Sequence, residues 1–171
     1  MLFDGFWKWD LQKQSWAISF WRRLGFLDEI AEHALNRAVL YSATIIRKVG
    51  EDELETERLA ADKGYSFPKQ ELPSATLAAL CFPFAGDPSW LIRGKFFSDD
   101  YGSSTSCTVS ANQACNLILH SYVWRLVSDR SMKAYSGFIL SSDKTKAEAT
   151  YYISFDEWQK LIRLVLETGA F

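Results

Sequence analysis

Two serine-led helix caps constrain this chain more than any other local pattern. Ser110-Ala111-Asn112-Gln113 and Ser154-Phe155-Asp156-Glu157 both read Ser-x-x-Gln/Glu, the arrangement in which a serine hydroxyl accepts a hydrogen bond from the third helical amide and so opens a helix. A run rich in β-branched and aromatic residues leads into each cap, residues 104–109 in the first case and 149–155 in the second. Strand passing directly into helix, twice over, sets the C-terminal half as a ββαββα unit. Connections this short favour a mainly antiparallel sheet with helices on one face.

The strands are expected as two hairpins. The first joins residues 90–97 and 104–109 around the turn residues 98–103, and the second joins 135–140 and 149–155 across a charged tip at 143–146. Residues 77–82 form an apolar run too short to assign as strand or helix. Residues 110–127 read as one helix, apolar nearly all round except for a line through Asn112, Asn116 and His120.

Helical periodicity also runs through residues 6–24 and 27–49, and Gly25 between them predicts an antiparallel helical pair. In the second helix Ala31, Ala34, Leu35, Ala38, Val39, Ser42, Ile45, Ile46 and Val49 share one stripe. The acid-rich stretch 51–63 extends this helix to a stop at Gly64, and Pro68 and Pro73 mark a linker. The expected architecture is therefore α+β: a helical region over residues 1–66 packs on an α+β region over 74–171, within one compact domain. A chain of 171 residues needs neither metal nor disulfide to hold such a core.

Charge and chemistry narrow the function classes. Nineteen basic against 21 acidic residues leave a net charge of -2, which provides no global field for nucleic acid or an anionic membrane. Cys81, Cys107 and Cys115 lack a Cys-x-x-Cys spacing, and only two histidines accompany them, so no metal or cofactor is expected and the compartment reads as a reducing cytoplasm. Charged residues interrupt the first 25 positions, which lack a signal-peptide core. The chain carries no phosphate-cradling glycine loop and no Gly-x-Ser-x-Gly elbow.

Two groups of residues remain as candidates. On the polar line, His120 is the candidate general acid or base, Asn116 would orient it, and Arg37 from the second helix would supply positive charge. Asn112, Asn116 and His120 equally suit a binding wall for a small ligand, or a purely structural role in which they satisfy backbone groups. The second group is aromatic: Trp7, Trp16 and Trp21, with Phe6, Trp9 and Phe20, crowd the first helix. They fit an internal core or an interface with a protein partner or a second copy better than a membrane surface, because they occupy more than one helix face. His33, Asn36 and Arg37 read as a solvated face rather than a phosphate-binding row, so nucleic acid is not the expected partner.

The segment Cys115-Asn116-Leu117-Ile118-Leu119-His120 resembles the Arg-Asn-x-x-x-His motif of HEPN-type ribonucleases. That resemblance implies an all-helical fold and metal-independent RNA cleavage centred on His120. Cys115 stands where the motif has arginine, so Arg37 or Arg47 would have to supply the guanidinium. Residues 116–124 and 137–143 are similar to small bacterial proteins, a likeness that carries no activity. The expected function is that of a non-enzymatic cytoplasmic protein that binds another protein or a second copy of itself. A HEPN-like ribonuclease and a small-ligand sensor are the alternatives.

Overall fold

The computed structural model describes residues 6–24, 29–64, 75–83, 104–129, 133–142 and 149–168. Helix α1 (Phe6–Trp21) and helix α2 (Glu29–Asp62) come first. Strands β1 (Thr76–Pro83) and β2 (Thr105–Ser110) lead into helix α3 (Ala111–Leu119). Strands β3 (Ser121–Ser128), β4 (Tyr135–Ser142) and β5 (Ala149–Ser154) follow, and helix α4 (Phe155–Thr168) ends the described chain. The five strands form one antiparallel sheet in the order β2-β1-β5-β4-β3. The α+β architecture with an N-terminal helical pair is thus the one the sequence predicts.

Both serine caps form. The Gln113 amide donates to Ser110 Oγ at 3.1 Å, and the Glu157 amide donates to Ser154 Oγ at 3.2 Å. The Glu157 carboxylate does not close a full box. It accepts the Ala78 amide of β1 at 3.2 Å and pairs with Lys160, and these contacts hold its carboxyl below the usual range, Lys160 first among the causes. The acid-rich stretch and the helix before it are one continuous 34-residue helix, about 50 Å long at 1.5 Å per residue. It stops where Gly64 adopts a φ of 73°, the left-handed conformation that glycine takes at no steric cost.

Two strand assignments change. The helix expected over residues 110–127 ends at Leu119, and Ser121-Tyr-Val-Trp-Arg-Leu-Val-Ser is strand β3. Its Val123 and Val127 are buried on one sheet face while Trp124 and Leu126 pack on the other, so apolar residues on both faces hide the two-residue period. The unassigned run 77–82 is β1, which pairs with β2 from Thr76↔Ser110 to Cys81↔Thr105 and with β5 from Leu80↔Tyr152 to Pro83↔Ala149. The expected first-hairpin strand 90–97 lies outside the described residues. The second hairpin forms as expected, with Phe138 opposite Ile153 and Leu140 opposite Tyr151.

One face of the sheet carries the core. Leu77, Ala79, Val109, Phe138, Leu140 and Ile153 lie beneath α3 and α4, and α2 packs across both helices. Phe138 is the centre: Trp124 stacks on it at 4.9 Å, and Phe155 and Trp158 meet it edge-on at 5.7 and 5.9 Å. The two indole N–H groups find partners on α2. Trp158 Nε1 donates to Ser42 Oγ at 2.9 Å, and Trp124 Nε1 donates to Asn36 Oδ1 at 2.6 Å. Helix α1 is held by its end: Arg22 Nη1 reaches Asp156 at 2.6 Å and Gln159 at 3.3 Å, while the Arg22 carbonyl accepts the Tyr135 amide.

Gly137 in β4 has no room for a side chain, since a Cβ there would sit 2.3 Å from the Ile153 carbonyl and 2.8 Å from the Tyr152 ring. Gly137→Ala should lower unfolding stability by roughly 3 kcal/mol, the upper end for overpacking, measured by denaturant titration. Glu53 supplies a pH dependence. It is buried on the inner stripe of α2, and burial, with Glu57 nearby, raises its pKa above the ordinary 4.5. Its protonated form suits the fold, so its contribution is full below the unfolded pKa and declines as pH rises through the raised folded value. Glu53→Gln should therefore flatten the fall in stability between acid and neutral pH, and an unchanged pH profile would refute this assignment.

Candidate functional site

Helix α3 is short because its C-cap residue, His120, leaves the helical conformation at φ −116°, ψ 29°. Its apolar side, Ala111, Ala114, Cys115 and Ile118, is buried against the core. Asn112 is exposed and Asn116 half-buried one turn later, and Asn116 Nδ2 donates to Asn112 Oδ1 at 3.3 Å. These two residues face α2 across a groove of about 320 Å³. On the α2 side stand Arg47 and Glu51, joined at 2.8 Å by Nε to Oε1, with the backbone of Gly50 between them and Leu54 beyond. Cys115 and Ile46 contribute the groove's apolar lining.

The groove offers hydrogen-bonding amides and a charge pair that neutralises itself, and its cysteine is poorly suited to attack. Burial pushes the Cys115 thiol up to about 12, with the Arg47 charge a smaller opposing influence, whereas thiol nucleophiles need accessible thiolate. Such a surface can hold a small polar molecule by hydrogen bonds. Among the described residues no group of three or more His, Cys, Asp and Glu side chains is placed to hold a metal.

The catalytic candidates do not meet at this groove. His120 sits exposed at the α3 C-terminus, where its backbone N–H donates to the Asn116 carbonyl, and it is not among the residues lining the groove. Arg37 is exposed on α2 with its guanidinium 5.2 Å from the Tyr41 ring centroid. It lies ten residues before Arg47, about 15 Å along the helix axis. Arg47 is the arginine beside Asn112 and Asn116. The five-stranded sheet also departs from the all-helical architecture that the ribonuclease motif implies.

The aromatic candidates divide by helix face. Trp7 and Trp21 are half-buried and pack against the core with the fully buried Leu11 and Ile18. Trp16 points outward with 55% exposure, and Phe6, Trp9 and Phe20 join it at 69, 52 and 57%. The positions 6, 9, 16 and 20 recur at helical spacing, with Lys13 between them, and make one continuous outer stripe. Trp9 and Trp16 meet edge-on at 5.7 Å, and the Lys13 ammonium lies 5.2 Å from the Trp9 ring. Sequence reasoning that counted aromatics on several faces missed this division; the i, i+3, i+10, i+14 spacing was the signal that carried it.

His120 is exposed at the helix end, so His120→Ala should shift unfolding stability by less than about 0.5 kcal/mol, as measured by thermal and chemical denaturation. A loss above about 1 kcal/mol, the worth of a typical buried hydrogen bond, would show that the imidazole ties elements together. The chain matches no protein-family model, no curated protein and no solved structure.

Proposed function

We propose that this protein is a non-enzymatic cytoplasmic binding module that docks a protein, either a different chain or a second copy of itself, through the outer face of α1. The observation that carries this reading is the stripe Phe6, Trp9, Trp16 and Phe20, exposed on the side of the helix opposite its core contacts. Exposed aromatics gathered on one rigid element are the residues that dominate protein interfaces, because they bury large area at small entropic cost. Core packing explains Trp7 and Trp21 but asks nothing of the outer four. A membrane-surface role would call for basic residues along the flanks of such a stripe; here Lys13 is paired with Asp10 at 3.2 Å. Among the described residues no helix is long and apolar enough to cross a membrane.

A second reading, a sensor of a small polar ligand, is favoured by one observation, the groove between Asn112, Asn116 and the Arg47–Glu51 pair. Its volume of about 320 Å³ falls at the lower end of small-molecule sites. Native mass spectrometry of freshly purified protein would detect a co-purifying ligand and separate this reading from the first.

The leading reading is tested by replacing Trp9 and Trp16 together with glutamate. Concentration-dependent association in light scattering, or photo-crosslinking of a discrete protein from a probe placed at Phe20, should disappear in the double variant. Its folding stability should fall by less than about 1.5 kcal/mol, the worth of the aromatic pair itself. A strictly monomeric wild-type protein whose Phe20 probe captures no more than a probe at the exposed Lys48 would overturn the reading.

A further inference from the structure

Pairing of β1 with β2 brings together two cysteines that are 26 positions apart in the chain. Ala79 lies opposite Cys107 and Cys81 lies opposite Thr105, so the two cysteines are diagonal neighbours on the same face of the sheet. It is the helix-facing side, the face of Leu77, Ala79 and Val109. Both thiols are half-buried and free. Burial raises the Cys107 pKa, and the neighbouring Cys81 thiol adds to the rise by its charge and by hydrogen bonding.

The diagonal placement decides what the pair can do. Diagonal positions on antiparallel strands stand roughly 7–8 Å apart at Cα, whereas a disulfide brings its Cα atoms within about 6.8 Å. An S–S bond would require the strands to move. A metal ion set between the sulfurs spans a wider gap than an S–S bond, since two metal–sulfur bonds, about 2.3 Å each for zinc, reach about 4.6 Å in line. Zinc seeks four ligands and calcium or magnesium six or more oxygens, and no third His, Cys, Asp or Glu joins a metal-holding group among the described residues. Soft cations that favour thiolate are the class left to a pair of sulfurs alone.

We propose that Cys81 and Cys107 form a two-thiolate site for a soft monovalent cation of the Cu(I) class. Binding replaces two S–H bonds by two metal–sulfur bonds and releases two protons to solvent, with no change of oxidation state. The site bridges β1 and β2 on one face of the sheet, outside the plane of the backbone hydrogen bonds, so the strand pairing is kept intact. Cys115, buried on the inner side of α3, takes no part.

The test is an anaerobic titration of the full chain with Cu(I), delivered as its acetonitrile complex against a competing Cu(I) chelator. One equivalent should be withdrawn from the chelator by the wild-type protein and by Cys115→Ala, and none by Cys81→Ser or Cys107→Ser. In the wild-type protein the bound ion should shield Cys81 and Cys107 together from alkylation, read by peptide mass spectrometry, which does not depend on any variant folding. Undiminished binding by the two serine variants, complete retention of the ion by the chelator, half an equivalent bound with dimer formation, or alkylation of both cysteines in the loaded protein would each overturn the proposal.

Discussion

The indole of Trp158 organises the structure around it. Its ring is fully buried and meets Phe138 of the sheet edge-on, while its N–H ends on the Ser42 hydroxyl of α2. A buried indole donor left unpaired would cost about 1–3 kcal/mol, so the rotation of α2 about its own axis is coupled to the seating of α4 on the sheet. Ser42 completes the link by donating to the Val39 carbonyl at 2.8 Å. Trp124 repeats the device through Asn36. With α2 pinned at Asn36 and Ser42, six residues apart, its stripe of Leu35, Val39 and Ile46 is directed inward, and α3 is positioned to form the groove beside Arg47.

The same constraint gives α1 its two characters. Arg22 anchors the end of the helix to Asp156 and Gln159, and Gln159 in turn donates to Ser19 and to the Ser15 carbonyl. These bonds fix which side of α1 meets the core, and Leu11 and Ile18 are buried there. A helix has 3.6 residues per turn, so Phe6, Trp9, Trp16 and Phe20 are carried to the far side once Leu11 and Ile18 face in. The proposed docking surface is thus set by polar contacts at one end of the helix as much as by the aromatics themselves.

Local chemistry made part of the fold legible in advance. The caps at Ser110 and Ser154, the stop at Gly64 and the hairpin of β4 with β5 depend on hydrogen bonds and backbone conformations that span a few residues, and each forms as read. The neighbouring of Asn112 and Asn116 was legible for the same reason, since one helical turn separates them. Strands β1 and β3 were not. Residues 121–128 are apolar toward both sheet faces, and an apolar run without alternation has no period to distinguish strand from buried helix. The error moved His120 from the middle of an expected long helix to the exposed end of a short one.

The sequence by itself determined where the helices after Ser110 and Ser154 begin, where the second helix stops, and that the protein is α+β. Tertiary structure decided which strands lie side by side, that Arg47 rather than Arg37 stands beside the asparagines, that α1 keeps an aromatic face outside, and that Cys81 meets Cys107. The reason is one of range. Caps and turns are settled by energies between residues a few positions apart, whereas strand order and the choice of buried face are settled by contacts between distant segments, whose partners no local pattern names.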